Sequence, residues 1–332
     1  MLRQIQANLV EITAFMIFVL VVYLVKISEG ISTTVLFIPA SLLMFNTIFL
    51  SILIEAIPFV LIGVFIAGMI QVFVTEDQLC KLIPKNRFLA VTVSCVVGAL
   101  FPACECGIVP IVRRLVAKGV PIFAGVGFLL TGPLINPIVT YSTYMAFGQD
   151  LRIAVLRMAL GFFIALIIAL FVSLLFKGSQ LKKGQEIGRE SYVTKPPLGE
   201  RFKHMYQHAI DEFFSMGKYL VIGALLAAFV QTYVSTKAIL GLGDGIVAST
   251  IVMMGLAYLL SLCSEADAFI GASFRHLFPE TSILAFLIYG PMLDLKNTIM
   301  MMSIFKFKFV IVLITIITFV VWGCLMIFDN LI

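Results

Sequence analysis

Long apolar segments separated by short polar connections occupy almost the whole chain. They lie at about residues 9–25, 46–74, 88–104, 120–148, 153–176, 209–235, 243–263, 279–303 and 307–328. A helix rises about 1.5 Å per residue, so about 20 apolar residues cross the hydrocarbon core of a bilayer, and several segments are longer than that. The roughly ten-residue alternating segments of a membrane β-barrel are not visible. The pattern therefore predicts an all-α polytopic membrane protein.

The composition supports this fold class. Of 332 residues, 61% are hydrophobic and 12% are charged, which leaves too few polar side chains to cover a soluble core of this size. The net charge of +5 is spread over the polar connections, where it indicates topology and not a nucleic-acid surface. The first apolar segment follows Arg3 and lacks a small-residue cleavage site, so we expect an uncleaved helix. We expect a multi-pass protein of the bacterial cytoplasmic membrane, in contact with lipid and without a nucleic-acid partner; homo-oligomerisation is left open.

The two halves of the chain resemble each other. The sequence IGVFIAGMIQVFV at 62–74 is similar to IGALLAAFVQTYV at 222–234. Further on, Cys104 corresponds to Cys263, and TGPLIN at 131–136 corresponds to YGPMLD at 289–294. Three matches in the same order at a nearly constant offset indicate an internal duplication. Such repeats with interrupted helices at matching places are typical of transporters whose site lies at the repeat interface.

A polar segment divides these halves. From Gly178 to Lys203 it carries six basic and three acidic residues and a Pro196-Pro197 breaker, so the positive-inside rule predicts that it is cytoplasmic. We therefore expect an N-terminal transmembrane helix and connector at 1–44, a first membrane repeat at 45–177, a basic cytoplasmic linker at 178–207 and a second membrane repeat at 208–332.

The basic residues around the broken segments bear on the orientation of the repeats. Those flanking 88–118 are Lys81, Lys85, Arg87, Arg113, Arg114 and Lys118, whereas the counterpart at 243–276 is flanked by Lys237 and Arg275 with Asp244 and Glu280 opposing them. A re-entrant hairpin at 88–118 has both ends in the cytoplasm and makes the repeats inverted. If 88–104 instead spans the bilayer, the repeats are parallel and three basic residues lie outside. We expect inverted repeats whose broken helices meet at the bilayer middle.

The stretch FPACECGIVP at 101–110 is the first candidate for chemistry. Pro110 removes a backbone donor and Gly107 loosens the chain, so we expect an irregular hinge here. Freed backbone groups at membrane depth are tolerated where they face protein or a watery cavity. The hinge therefore offers Cys104, Glu105 and Cys106 to a cavity, although tight packing at a helix break would also explain two thiols.

The counterpart LCSEADAF adds Cys263, Glu265 and Asp267 in a similarly apolar setting. Ionisable side chains at such positions are costly and are functional candidates by default; a helix end at the membrane interface is the other interpretation. Asn136 and Asp294 each follow a Gly-Pro pair by three residues, and we expect each to cap the resuming helix, to contact substrate, or both.

Thiolates are the preferred ligands of soft species such as Zn²⁺, Cu⁺ and trivalent arsenic. We therefore expect the candidate ligands of such a species to be Cys104, Cys106, Cys263 and Glu265. Cys95 and Cys324 are expected to pack as small hydrophobes. Glu55, in the second apolar segment, is a further buried-carboxylate candidate.

Three motifs together carry a family resemblance: PACECGIVPIVRRLVAKGVP, FLLTGPLINPIV and SLCSEADAF. Their combination resembles the predicted-permease family that includes the ArsP-type organoarsenical efflux permeases and the YraQ/YcgR-type proteins, and it is most similar to the YcgR-like branch. The resemblance covers about residues 45–328. It implies a membrane permease, efflux of trivalent organoarsenicals for some members, and, for this branch, a small membrane protein partner encoded nearby.

Two classes of function follow from these features. The first is a permease, and not an enzyme, that moves a small soft metal, metalloid or thiol-bearing species without a bound cofactor; the sequence has no nucleotide-binding motif. The second is a membrane thiol oxidoreductase that passes electrons through Cys104, Cys106 and Cys263. Carboxylates and Gly-Pro breaks in both halves favour the permease. The second repeat has Glu265 at the position that corresponds to Cys106, which weakens the case for dithiol chemistry.

Overall fold

The computed structural model of the chain describes residues 40–74, 83–84, 86–101, 103–182, 198–234 and 245–329. The helix expected at 9–25 and the basic residues Lys81, Lys85 and Lys237 lie outside these residues. Within them the fold is helical, and the strand-like pairing they contain is an isolated bridge between Leu181 and Phe305. The chain divides into two compact units, Met1–Met44 and Phe45–Ile332, and the site described below lies in the second.

Twelve helices are described, six in each half of the chain. Those of the first half are α1 Ala40–Phe73, α2 Arg87–Ala99, α3 Glu105–Ala117, α4 Ile122–Thr131, α5 Pro137–Ala146 and α6 Leu151–Leu175. Those of the second half are α7 Leu198–Tyr233, α8 Ile246–Leu260, α9 Ser264–Ser273, α10 Glu280–Met292, α11 Leu295–Ile304 and α12 Phe307–Asp329. The two sets have the same order of long and short helices. The start of α7 falls within the predicted 178–207 linker.

Within the described residues, five stretches are long and apolar enough to cross a membrane. They are Ala40–Phe73, Leu151–Leu175, Gly199–Tyr233, Glu280–Ile304 and Phe307–Asp329. The predicted apolar segment at 120–148 forms two short helices, α4 and α5, and 279–303 is interrupted between α10 and α11. The short helices account for most of the interior: nearly every residue of α4 and α10 is buried.

The helices of the two halves also pack in matching pairs. In the first half α2 lies against α4 and α6, and in the second half α8 lies against α10 and α12. Among the contacts that join the halves, α3 packs on α11 and α9 packs on α5. Each short helix that follows a Cys-containing break thus meets a short helix that follows a Gly-Pro break in the other half.

Helix α1 runs antiparallel to α7, its counterpart in the second half. The ring of Phe65 lies 6.1 Å from that of Tyr206, and the ring of Phe73 lies 5.6 Å from that of Phe202. Residue numbers therefore rise along α1 while they fall along α7. The same holds for α6 and α12, which pack together: the ring of Phe176, just after α6, lies 4.9 Å from that of Phe309, near the start of α12.

The predicted hinge is present, but it does not lie where its residues suggested. Helix α2 ends at Ala99 and α3 begins at Glu105, so Gly107 and Pro110 lie inside α3. Gly107 serves close packing instead: a Cβ there would lie 2.7 Å from the carbonyl oxygen of Phe59, and one on Gly63 would lie 2.2 Å from the carbonyl oxygen of Gly107. The expectation that these two residues break the helix is wrong, because α3 continues through both of them. Gly107 is instead explained by the close contact between α1 and α3.

Candidate functional site

Four short helices, α3, α5, α9 and α11, begin inside the protein. Their N-cap residues are Cys104, Asn136, Cys263 and Asp294, the four positions that match between the halves. The Asn136 side chain accepts a hydrogen bond from the Ile138 backbone N–H at 2.9 Å. The Asp294 and Cys263 side chains accept equivalent bonds at 2.5 and 3.3 Å. Predicted capping by Asn136 and Asp294 is confirmed, and it satisfies donors that a buried helix start leaves free.

A buried ionic cluster joins the starts of α3 and α11. The Lys296 ammonium lies 3.2 Å from the Glu105 carboxylate and 3.7 Å from that of Asp294. The Ser261 hydroxyl donates to Asp294 at 2.7 Å and accepts from the Lys296 backbone N–H at 3.1 Å. Because all four residues are less than 5% exposed, one ammonium and a hydroxyl compensate two carboxylates away from water. Sequence reasoning missed Ser261.

A second buried polar cluster lies where α9 packs on α5. Arg157, in the second turn of the apolar helix α6, is 1% exposed. Its guanidinium donates to the Thr143 hydroxyl at 2.6 Å and to the Ser264 backbone carbonyl at 3.1 Å. Asp267 is also 1% exposed, and neither of its carboxylate oxygens has a hydrogen-bond partner among the described residues. Sequence reasoning missed Arg157, although an arginine within a membrane-length apolar helix is itself a signal.

The thiols lie beside these clusters. Cys104 has extended backbone angles (φ −74°, ψ 169°), and its thiol lies close to that of Cys106. The thiol of Cys263 lies near the carboxyl of Glu55. Glu55 is exposed midway along α1, so the expectation of a buried carboxylate there is wrong. Within the described residues, no three His, Cys, Asp or Glu side chains are grouped to hold a metal ion. The structure thus brings Cys104 and Cys106 together and leaves Cys263 and the half-buried Glu265 outside that pair.

A third ionic cluster, at the other end of α3, was also missed. Glu212 of α7 is 2% exposed and accepts hydrogen bonds from Arg113 and, at 2.6 Å, from Arg114. Beyond it, the Lys118 ammonium donates to the Gln71 carbonyl at 2.8 Å, at the end of α1. These contacts fix the C-terminal end of α3 to α7 and α1, and through α3 they hold the helix start that carries Glu105.

The electrostatics of the helix starts suit the acidic residues gathered there. A helix N-terminus carries a partial positive charge, so a carboxylate in or before the first turn is stabilised. Glu105 is the first residue of α3, Asp294 the N-cap of α11, and Glu265 and Asp267 lie in the first turn of α9. The helix starts thus bring thiols and carboxylates near two buried cations, Lys296 and Arg157.

Comparison with known proteins gives a consistent assignment. A family model, ArsP_1, described as a predicted permease, matches residues 41–330. The chain is 52% identical over 282 residues to the UPF0718 protein YcgR of Bacillus subtilis, covering 85% of this chain and 96% of that protein. It is 39% identical over 274 residues to a putative two-component membrane permease complex subunit of Streptococcus mutans, covering 82% and 91% respectively. No solved structure matches the chain.

Proposed function

The chain belongs to the ArsP_1 family of predicted permeases, as its motifs predicted, and we propose that it moves a small soft metal, metalloid or thiol-bearing species through the site at which α3, α5, α9 and α11 begin. It is a multi-pass protein of the bacterial plasma membrane. The observation that carries the substrate class is the Cys104–Cys106 thiol pair beside the buried Glu105–Lys296 ion pair. Thiol ligands select soft species, and the ion pair places charge where a substrate can exchange with it.

In this proposal the substrate is held first by Cys104 and Cys106. Cys263 and Glu265, at the start of α9, complete the ligand set as the two halves rearrange around it. Asn136, Asp267 and Asp294 line the same passage, with Glu105 as a fourth polar contact. Because thiols must lose their protons to bind a metal, the affinity for such a substrate should rise with pH.

We also propose that α2–α3 and α8–α9 are re-entrant hairpins and that the repeats are inverted. Helix α2 has 13 residues, a rise of about 20 Å, which is less than the roughly 30 Å of hydrocarbon. Arg87 at its start and Val116 near the end of α3 line one surface pocket with Lys177, just beyond α6. Both ends of the first hairpin therefore lie at the same end of α6.

The second hairpin supports the same topology from the opposite end. Ser249, near the start of α8, hydrogen-bonds to Ser282 in the first turn of α10 at 2.8 Å. Arg275, just after α9, lines a pocket with Glu280, the first residue of α10. The antiparallel packing of α1 with α7, and of α6 with α12, is what an inverted duplication requires.

Cysteine labelling in intact cells tests this topology. We expect an impermeant maleimide to miss Arg87→Cys and Ala117→Cys in intact cells and to label both after permeabilisation. Val247→Cys and Leu277→Cys should be labelled without permeabilisation. Labelling of Arg87→Cys and Ala117→Cys from opposite sides would show that 88–104 spans the bilayer and that the repeats are parallel.

Transport of a panel of metals and arsenicals tests the substrate class. Cells carrying the wild type, the Cys104→Ser/Cys106→Ser variant or a matched Cys95→Ala/Cys324→Ser variant are compared for uptake and efflux. We expect at least one soft species to be transported by the wild type and the matched control and not by Cys104→Ser/Cys106→Ser. If that variant handles every species as the wild type does, the two thiols are packing residues and the substrate is not soft.

The thiol-oxidoreductase alternative is not favoured, because the matching family is described as a predicted permease and one relative is named a putative subunit of a membrane permease complex. That complex is named as two-component, and we propose that this chain likewise acts with a small membrane protein encoded nearby. Co-purification of an affinity-tagged chain from its own host, followed by mass spectrometry, tests this. Recovery of the chain without any stoichiometric membrane protein would contradict it.

A further inference from the structure

A basic pocket of about 450 Å³ opens at the end of α6. Arg87, at the start of α2, and Lys177, just beyond α6, lie in its wall, and both are exposed. Among the described residues, neither has a carboxylate partner and no acidic residue lines the pocket. Two uncompensated cations therefore face one concave surface.

The start of α4 adds hydrogen-bond donors to this surface. Ile122 and Phe123, the first two residues of the helix, line the pocket. Their backbone N–H groups have no intrahelical acceptor, and the N-cap residue, Pro121, supplies no side-chain bond. Free N–H groups at a helix N-terminus attract an anionic oxygen, so the donors and the two cations favour the same kind of ligand.

The position of the pocket relative to the membrane indicates the class of ligand. Lys177 follows a 25-residue apolar helix that is long enough to span a bilayer, so the pocket lies at the membrane–water interface. Its walls include the rings of Phe123 and Phe176, and the exposed side chains of Leu174 and Phe88 lie at neighbouring positions of the helices. Cationic groups above apolar walls match an anionic headgroup above acyl chains.

The corresponding turn of the second half provides a comparison. The pocket at the start of α10 is lined by Arg275 and Glu280, so it holds both signs of charge. Arg275 is also already paired with Asp150 at 3.0 Å. The two ends of the molecule thus differ, and the basic pocket is at the end from which the polar segment after Lys177 continues.

We propose that this pocket binds the phosphate of an anionic phospholipid, with Arg87 and Lys177 as the ligands of the phosphate and α4 as the source of backbone donors. The lipid would bridge α2, α4 and α6 of the first half. Loss of both cations should weaken binding about thirtyfold, given the contribution of each basic side chain near an anionic lipid.

Lipid titration of the purified full-length protein tests the proposal. Phosphatidylglycerol is added in detergent to the wild type, to Arg87→Gln/Lys177→Gln and to Lys203→Gln/Lys218→Gln, which loses the same charge at exposed sites on α7. We expect the thermal unfolding midpoint of the wild type and the control to rise with phosphatidylglycerol and not with phosphatidylcholine. The pocket variant should need about thirty times more lipid for the same shift.

Two outcomes would overturn the proposal. An equal response of the pocket variant and the control would show that the lipid binds elsewhere. A rise of the wild-type midpoint with inorganic phosphate as large as that with phosphatidylglycerol would show that the site takes free phosphate and that the apolar walls contribute nothing.

Discussion

Replacement of Lys296 by methionine should be among the most damaging single changes in the protein. The side chain is 4% exposed, and its ammonium is 3.2 Å from Glu105 and 3.7 Å from Asp294. Methionine keeps most of the apolar stem and removes the charge, so two buried carboxylates lose their shared cation. Breaking a buried pair in this way costs about 3–5 kcal/mol. Asp294 keeps its bonds from Ser261 and Asn297, so most of this loss should fall on Glu105.

A double-mutant cycle measures the effect. The unfolding midpoints of detergent-purified Lys296→Met, Glu105→Gln and the double variant are compared with Lys218→Met, an exposed lysine. We expect Lys296→Met to lower the midpoint strongly, the double variant to recover more than half of that loss, and Lys218→Met to change it little. If the losses in the double variant simply add, or if Lys296→Met behaves as Lys218→Met does, the buried ion pair does not exist as described.

Two further predictions concern the packing and the fixing of α3. Gly63→Ala should destabilise the protein by about 1–3 kcal/mol in the same assay, because the new Cβ would lie 2.2 Å from a backbone oxygen of α3. The control Gly323→Ala, where a Cβ would meet open space, should be neutral or slightly stabilising. Equal unfolding midpoints for the two variants would refute the close approach of α1 to α3. Glu212→Gln should also lower the unfolding midpoint and the transport rate, since it leaves two arginines without their carboxylate. The control Asp211→Asn, at an exposed position of the same helix, should change neither. Unchanged transport in Glu212→Gln would show that the cluster does not position α3.

The features predicted correctly from the sequence depend on local chemistry. A residue after a Gly-Pro break that can accept a hydrogen bond caps the next helix, so Asn136 and Asp294 were assigned a capping role without knowledge of the fold. The repeat correspondence placed the breaks after α2 and α8 in matching positions. The apolar segments, likewise, gave the class of fold, because membrane helices must bury their own backbone groups.

The features that sequence reasoning missed depend on contacts between distant parts of the chain. Arg157 and Ser264 are 107 residues apart, and Arg114 and Glu212 are 98 apart, so neither pairing leaves a local pattern. Lys296 was visible beside Asp294, but its ion pair with Glu105 requires the α3–α11 contact. The sequence suggests a hinge at Gly107, whereas the glycine is explained by the close approach of α1, a tertiary contact that the local sequence does not show.

The central claim is that the thiols at the start of α3 lie on the path that the substrate takes across the membrane. Reaction of Cys104 with an impermeant thiol reagent tests it most directly, in a variant that keeps Cys104 and lacks the other five cysteines. In membrane vesicles of defined orientation, a pathway with alternating access predicts that Cys104 reacts with reagent added from either side, and that the same variant with Cys104→Ser does not react. Reaction from neither side, or from one side under all conditions, would contradict the claim and leave the thiols as part of the packed interior.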